Sequence, residues 1–219
     1  MILSPRVLTK RQSKQFIAHY AGNDLWHNQN PDSGDLGYGY FYYGLIRAMN
    51  LSRILVIGSK YGFVPAICAL ALKHNTHGIV DFVDAGYDQE NLEHTRHWGG
   101  VGLWRKPDPL HHFRKFSLSR YIRIHVTTSQ LFFASKTPAD TWQFVFIDGD
   151  HSYKGVSHDY KRSYAHVSKH GFIGLHDIYP KRSGALRYGV YKLWDKIKRT
   201  DLPTLELPGA FGVGIIQKP

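Results

Sequence analysis

Acidic and imidazole side chains follow two apolar segments in the second half of the chain. Residues 144–160 read FVFIDGDHSYKGVSHDY, so that Asp148, Asp150 and His151 come directly after an apolar run. His176 and Asp177 end the later apolar segment GFIGLHD. Carboxylates and imidazoles can bind a divalent cation, or they can take a proton from a hydroxyl group as it reacts. The pattern therefore predicts a site for metal-assisted or acid–base chemistry.

The segments that position these residues alternate between strand-like and helix-like patterns. Predicted strands are 52–59, 78–86, 121–128, 142–150 and 170–178, and predicted helices are 61–75, 88–98, 129–135, 153–169 and 189–200. Apolar runs without polar alternation indicate strands buried on both faces, and helices between them indicate parallel crossovers. With a hairpin at 204–218, the sequence predicts an α/β fold: a Rossmann-like doubly wound sheet of about seven strands, mostly parallel, with an antiparallel C-terminal hairpin strand.

The length of 219 residues suits one domain over 1–219. We expect a helical lead-in over 1–50, with helices at 10–20 and 39–49, and a core over 51–219. The segment near 99–120 is rich in glycine, proline and basic residues, which is typical of an insertion. This insertion and the aromatic stretch 35–43 are predicted lids over the binding site.

The composition restricts the class of protein. One cysteine, Cys68, excludes an intrachain disulfide. The longest apolar run, near Ala66–Leu72, is far shorter than the roughly 20 residues that span a bilayer, and we expect a soluble cytoplasmic protein with no membrane span. The net charge of +11, beside 14 histidines, favours anionic partners.

The sequence resembles the class I S-adenosylmethionine (SAM)-dependent methyltransferases, and most closely the small-molecule O-methyltransferase-like group with a DGDHSY motif. The likeness covers roughly residues 35–217. It is carried by LVIGSKYG, FIDGDHSYKGVSHDY, GFIGLHDIY and the late GVYKLWDKI and GVGII segments. The resemblance implies transfer of a methyl group from SAM to the oxygen of a small hydroxylated acceptor, for which a sugar or an anionic compound is a candidate.

The predicted cofactor site lies at the tips of the first strands. Gly58 allows a sharp turn out of the first strand, Gly62 allows the next helix to approach closely, and the free N–H groups between them suit a carboxylate. The resemblance implies that Asp84 binds the ribose hydroxyls, with Asp88 as a rival. The predicted cofactor-binding residues are Gly58, Ser59, Lys60, Tyr61, Gly62, Asp84, Thr128 and Asp148.

The chain departs from the family pattern at two cofactor positions. Val56 stands where the family usually has an acid that anchors the methionine end of the cofactor. Thr127, Thr128 and Ser129 stand where an acid often meets the adenine amino group. A hydroxyl could replace that acid weakly, or apolar contacts could hold the adenine.

Two mechanisms stay open for the acidic and imidazole residues. The resemblance implies a metal site of Asp148, His176 and Asp177, in which the carboxylates suit Mg²⁺ and His176 admits softer divalent metals. In the metal-free alternative, His151 or His176 acts as the base and Asp150 or Asp177 orients it, so that the predicted catalytic residues are His151, His176 and Asp150. Asp150 is also a candidate helix N-cap, as is Ser152.

Other functions compete with this interpretation. Residues 103–125 interleave basic and aromatic side chains, which would suit an RNA acceptor. The departure at Val56 would suit a catalytically inactive binding module on the same fold. No non-haem iron triad of the usual spacing is evident in the sequence, which ranks an oxygenase low. A small-molecule acceptor remains the leading partner, and the sequence leaves a homo-oligomer open.

Overall fold

The computed structural model describes residues 7–87, 102–183 and 186–219. The strands are β1 Arg53–Ile57, β2 Ile79–Asp84, β3 Ile122–Val126, β4 Trp142–Ile147, β5 Val167–His176, β6 Arg182–Ser183, β7 Leu186–Arg187, β8 Thr204–Leu207 and β9 Val213–Gln217. The helices are α1 Lys10–Tyr20, α2 Gly39–Ala48, α3 Phe63–Asn75, α4 Ser129–Ala134, α5 Tyr153–His166 and α6 Val190–Ile197. Short 3₁₀ turns at Leu103–Arg105, Pro109–Arg114 and Ser119–Tyr121 occupy much of the predicted insertion.

Seven strands form the main sheet in the order β3-β2-β1-β4-β5-β9-β8. The strands from β3 to β5 in this order pair in parallel, whereas β9 runs antiparallel to both β5 and β8. The strand order reverses at β1, which has β2 on one side and β4 on the other. The predicted doubly wound sheet with an antiparallel C-terminal hairpin is confirmed. In such a sheet, ligands bind beyond the carboxyl ends of the strands at the reversal point.

The sheet is buried on both faces because alternate side chains of each central strand enter different hydrophobic layers. In β1, Val56 packs in the layer that contains α1, α2 and α3. Its neighbour Ile57 packs in the opposite layer, against residues of α4, α5 and α6. The same alternation separates Phe146 from Ile147 in β4. The uninterrupted apolar runs of the sequence are explained by this two-sided burial.

The lead-in packs directly on the core. Helix α1 begins at a capping box, in which Thr9 and Gln12 exchange side-chain to backbone hydrogen bonds. Its Phe16 is fully buried, and the ring lies 6.0 Å from that of Phe63 at the start of α3. Across the same layer, Trp104 of the insertion stacks on Phe113 at 5.6 Å. Aromatic packing therefore ties both the lead-in and the insertion to the layer that carries α3.

Some element boundaries differ from the sequence prediction. The predicted helix 153–169 ends at His166, because Val167 already pairs with Trp142 across an irregular β4–β5 register and so begins β5. The β6–β7 hairpin is too short to leave a pattern in the sequence. The predicted helix 88–98 lies outside the described residues. Within those residues, every helix is too short or too polar to cross a membrane.

Candidate active site

Five acidic and imidazole side chains converge at the carboxyl ends of β4 and β5. The two strands pair in parallel with Ile147 opposite Leu175, so the residues that follow them lie side by side. The converging residues are Asp148 after β4, His151 before α5, His176 at the end of β5, Asp177 after it and His27 in the loop between α1 and α2. The structure thus brings together the predicted Asp148, His151, His176 and Asp177, and it adds His27.

Asp148 lies at the centre of this cluster. Its Oδ1 is 3.1 Å from Nδ1 of His176 and 3.3 Å from Nε2 of His151. Its Oδ2 is 3.6 Å from Nε2 of His27. Asp177 contacts the same two rings, with Oδ1 3.1 Å from Nδ1 of His176 and Oδ2 3.3 Å from Nδ1 of His151. Two carboxylates are therefore interleaved with three imidazoles.

The donor atoms of the cluster fit a divalent cation. Asp177 is fully buried in a left-handed backbone conformation with φ of 61°, and neither carboxylate oxygen has a hydrogen-bond partner within the described chain. A buried carboxylate without donors is costly unless a positive charge lies next to it. Two triads are close enough to hold an ion, His27–Asp148–His176 and Asp148–His151–Asp177. Within each triad, one ligand atom from each residue lies within 4.8 Å of the other two. A divalent cation would balance the two carboxylate charges.

Mutual electrostatics dominate the protonation of the cluster. Burial acts to lower the pKa of His176, but the charges of Asp177 and Asp148 outweigh it and raise that pKa well above its ordinary value. For Asp148, burial acts to raise the pKa, and the three neighbouring rings, above all His176, hold it well below the ordinary value. Burial also lowers the pKa of His27, and His176 adds to that effect. Positive charge, from a proton or a metal ion, is thus strongly favoured beside Asp148.

The glycine loop after β1 forms one side of a cavity of about 410 Å³, and His27, Asp148 and His151 of the cluster lie on another side. Asp84 orders the loop, because its Oδ2 accepts a hydrogen bond from the N–H of Ser59 at 3.2 Å and its Oδ1 accepts one from Gly86 at 2.8 Å. Burial raises the pKa of Asp84. The predicted cofactor residues on the cavity wall are Gly58, Ser59, Lys60, Tyr61, Asp84, Thr128 and Asp148. Gly62, with φ of 86°, lies behind the loop against Trp104.

The predicted catalytic residues differ in their access to the cavity. His151 and Asp150 lie on the cavity wall, as does His27. His176 is only 1% exposed and lies deeper, between Asp148 and the backbone carbonyl of Trp26. Asp150 accepts a hydrogen bond from the N–H of Ser152 at 2.8 Å, while the side chain of Ser152 caps α5. The carboxylates within 3.3 Å of the His151 and His176 rings are those of Asp148 and Asp177.

The departures from the family pattern acquire a structural context. Val56 is fully buried within β1, in the α3 layer. On the cavity wall, a second acid next to the glycine loop, besides Asp84, is Asp24, whose carboxylate pairs with Lys60 at 2.9 Å. After β3, Thr128 caps α4 through a hydrogen bond from the N–H of Leu131. An acidic side chain is present in this region as well, because Asp159 of α5 lines the cavity.

Sequence reasoning missed His27, Asp24 and Asp159. Asp159 shares the buried stripe of α5 with Val156 and Ser163, so an acid on the apolar face of a predicted helix was a detectable signal. His27 and Asp24 lie in the lead-in, far from the site along the chain. No local pattern marks them.

The chain has a Rossmann-like sheet, a cavity beside a glycine loop, and acidic and imidazole residues at the strand ends. This combination is typical of enzymes that bind a nucleotide-containing cofactor. The family model described as "Methyltransferase domain" matches residues 55–178, and the chain belongs to this family. The resemblance recognised in the sequence is thereby confirmed at the level of the family. The comparison with curated proteins found no match.

Solved structures share the fold over almost the whole chain. An O-methyltransferase from Bacillus cereus, crystallised in complex with SAH, is 15% identical with a TM-score of 0.62, over 99% of this chain and 94% of that one. TomG from Streptomyces achromogenes, an O-methyltransferase involved in tomaymycin synthesis and crystallised with SAM, is 13% identical with a TM-score of 0.62, over 100% and 92%. At these identities the comparison establishes the shared fold.

Proposed function

We propose that this protein is a SAM-dependent O-methyltransferase that acts on a small hydroxylated, anionic acceptor. The observation that carries the proposal is one cavity with two different walls. The glycine loop and Asp84 form the first wall, and Asp148 and His151 belong to the second. The volume of the cavity, about 410 Å³, lies within the range of small-molecule sites, roughly 300–1,000 Å³.

The first wall supplies the groups that a SAM molecule needs. Lys60 and Tyr61 of the glycine loop line the cavity just before α3, where backbone N–H groups suit the cofactor's carboxylate. Each oxygen of Asp84 accepts one backbone hydrogen bond and retains a lone pair for a ribose hydroxyl. Asp24 replaces the acid that the family usually has at the position of Val56. It binds the cofactor's amino group beside Lys60. The SAM and SAH in the structural relatives support this assignment.

The second wall supplies the proton acceptor. When bound, SAM provides a methyl group on a sulfonium; the acceptor oxygen forms a bond to this carbon as the carbon–sulfur bond breaks and its electron pair goes to sulfur. His151 takes the proton of the acceptor hydroxyl, because it is the imidazole of the DGDHSY segment that reaches the cavity. Asp177, 3.3 Å from Nδ1, orients the ring and stabilises the imidazolium, while Nε2, 3.3 Å from Asp148, is the nitrogen that exchanges this contact for the acceptor hydroxyl. A divalent cation held by Asp148 and His176 would lower the pKa of the acceptor hydroxyl.

The surroundings of the cavity favour a small anionic acceptor over RNA. The net charge of +11 attracts anions, and Lys60 and the exposed Trp26 line the cavity. In contrast, three aromatic residues of the basic segment 103–125, Trp104, Phe113 and Tyr121, are buried. Their rings pack in the core and are not available to stack on bases.

The first test is calorimetric titration of the purified protein with SAM, with wild type compared with Asp84→Ala. We expect micromolar binding for the wild type and a loss of roughly 10- to 100-fold for Asp84→Ala, because hydrogen bonds to a charged carboxylate contribute about 1.5–3 kcal/mol. The control is Asp201→Ala, which removes an exposed acid of the α6–β8 connection. Absence of SAM binding by the folded wild type would overturn the proposed function.

The acceptor is tested with SAM that carries a labelled methyl group. We expect label to enter small hydroxylated anions, such as phenolic acids or sugar acids, and not RNA. His151→Ala should remove the activity while SAM affinity stays within a few-fold of wild type, since the ring belongs to the acceptor wall. Label that enters RNA preferentially would favour the alternative acceptor.

A further inference from the structure

His27 belongs to the acid–imidazole cluster although no sequence motif predicts it. Its ring is 6% exposed and lies between the ring of Phe63 at 5.5 Å and that of His176 at 4.2 Å. Its Nδ1 is 3.1 Å from the hydroxyl of Tyr42, which leaves Nε2 directed at Asp148. The 3.6 Å between Nε2 and Oδ2 of Asp148 exceeds hydrogen-bond length. His27 is therefore held in a fixed orientation toward a carboxylate to which it does not hydrogen-bond.

A neutral His176 would present a lone pair to the same carboxylate. Its Nε2 lies 3.2 Å from the backbone carbonyl of Trp26. Because a carbonyl oxygen only accepts hydrogen bonds, Nε2 carries a proton and the neutral ring has its lone pair on Nδ1. This Nδ1 is 3.1 Å from carboxylate oxygens of both Asp148 and Asp177 and has no hydrogen-bond partner in the described structure. A lone pair that faces two carboxylates in a buried site is unfavourable unless positive charge lies between them, either a proton on Nδ1 or a metal ion.

The spacing of the atoms matches ligands of one metal ion. Metal–nitrogen and metal–oxygen bonds of about 2.0–2.2 Å place adjacent ligand atoms roughly 3–3.5 Å apart. Oδ1 of Asp148 lies 3.1 Å from Nδ1 of His176, and Oδ2 lies 3.6 Å from Nε2 of His27. One ligand atom from each of the three residues lies within 4.8 Å of the others, so that a small inward movement would bring them to this spacing. Each imidazole also has a partner on its other nitrogen, the Tyr42 hydroxyl or the Trp26 carbonyl, as metal-binding histidines do.

We propose that His27, Asp148 and His176 form a two-histidine, one-carboxylate site that binds a divalent transition-metal ion in preference to Mg²⁺. Imidazole nitrogens suit zinc, iron, cobalt and nickel, whereas Mg²⁺ prefers oxygen ligands and retains its water. The inference deepens the proposed function and rests on it, because the ion would lie beside the acceptor wall of the same cavity. Through His27, the lead-in becomes part of the reaction centre.

The test uses the full-length protein freed of metal by a chelator that is then removed. It is titrated with Co²⁺ by visible absorption, and with Zn²⁺ and Mg²⁺ by calorimetry. We expect one equivalent of Co²⁺ to bind with absorption bands typical of nitrogen ligation, and Mg²⁺ to bind more weakly than either transition metal. Mg²⁺ binding as tight as that of Co²⁺, or no metal binding by the folded protein, would overturn the proposal. In the second case His176 holds a proton in place of the ion.

The matched variants separate this site from adventitious binding. His27→Phe keeps a ring between Phe63 and His176 and removes both ring nitrogens, so the contact with the Tyr42 hydroxyl is lost together with the ligand. We expect it to fold, to lose at least about 10-fold in Co²⁺ affinity and to change the absorption bands. His77→Ala removes an exposed histidine and should leave both unchanged. An unaltered Co²⁺ spectrum and affinity in His27→Phe would contradict the assignment. SAM titration of the same samples tests the proposed function separately, since SAM binding does not require that the metal preference be correct.

Discussion

Asp159 is a single acid whose surroundings change its chemistry. It belongs to α5, is 2% exposed, and accepts a hydrogen bond from the hydroxyl of Ser129 at 2.5 Å. Burial raises its pKa to about 7, which outweighs the hydrogen bond from Ser129, and the charge of Asp150 adds to the increase. The residue is therefore largely protonated at a pH at which exposed carboxyls are ionised.

This raised pKa predicts a pH dependence of stability. Between about pH 4 and pH 7 the unfolded chain releases the Asp159 proton while the folded protein keeps it, so the folded state binds more protons and its free energy of unfolding falls as pH rises. Asp159→Asn removes this decline. At pH 8 the free energy of unfolding of Asp159→Asn should therefore exceed that of wild type by about 1–4 kcal/mol, since one pKa unit corresponds to about 1.4 kcal/mol. Urea unfolding at pH 5 and pH 8 measures it. The same pH slope in wild type and Asp159→Asn would refute the prediction, and Asp201→Asn is the exposed control.

At the scale of elements, the carboxyl ends of three strands are held together at the turn after β1. The N–H of Gly58 donates to the carbonyl of Val83 at 2.8 Å, and the N–H of Asp148 donates to the carbonyl of Ile57 at 2.8 Å. Gly58 has φ of 74°, and a Cβ there would lie 2.4 Å from the carbonyl oxygen of Asp148. The glycine loop of the first wall and Asp148 of the second wall therefore meet at one tight backbone contact.

This contact predicts that Gly58→Ala damages both walls at once. We expect a loss of about 1–3 kcal/mol in the free energy of unfolding from the positive φ, with a further loss from the displaced Asp148 backbone. SAM affinity and metal affinity should decline together in the folded variant. Gly44→Ala in α2 is the matched control, because its added Cβ meets open space and should raise stability by up to about 1 kcal/mol. Gly58→Ala with wild-type stability would show that the turn can relax freely.

At the scale of the whole molecule, we propose that the lead-in and the core fold as one unit rather than as a core with a detachable lid. Phe16 and Tyr20 of α1 belong to the same hydrophobic cluster as α3 and the central strands. Within the predicted lid 35–43, Leu36 and Tyr42 are fully buried, and Tyr38 donates a hydrogen bond to the carbonyl of Pro208 at 2.9 Å. The lead-in also contributes His27 to the cluster.

A single cooperative unit predicts one unfolding transition. Phe16→Ala should lower the free energy of unfolding by about 3–5 kcal/mol, the usual cost of removing a buried aromatic ring. For each protein, circular dichroism and tryptophan fluorescence should give the same unfolding midpoint as each other. That common midpoint should be lower in Phe16→Ala than in wild type. Two separated transitions, or a stability loss confined to one probe, would instead indicate a lead-in that unfolds on its own.

Much of the architecture was predictable because it depends on local pattern. The uninterrupted apolar runs identified β1, β2 and β4 as doubly buried strands, and the residues that follow them could be placed at one edge of a parallel sheet. The boundary between α5 and β5 was misplaced because Val167 and the residues after it fit a helix or a strand, and only pairing with β4 decides between them.

The sequence by itself determined the fold family, the order of the elements and the position of Asp148, His151, His176 and Asp177 at strand ends, because side-chain periodicity and strand-tip position are local properties of the chain. Only the tertiary structure decided that His27 and Asp24 join them and that His176 lies deeper than His151. Those facts depend on how the α1–α2 loop packs across the ends of β4 and β5. Contacts between segments so distant along the chain are set by the packing of the whole hydrophobic layer, which no single stretch of sequence encodes.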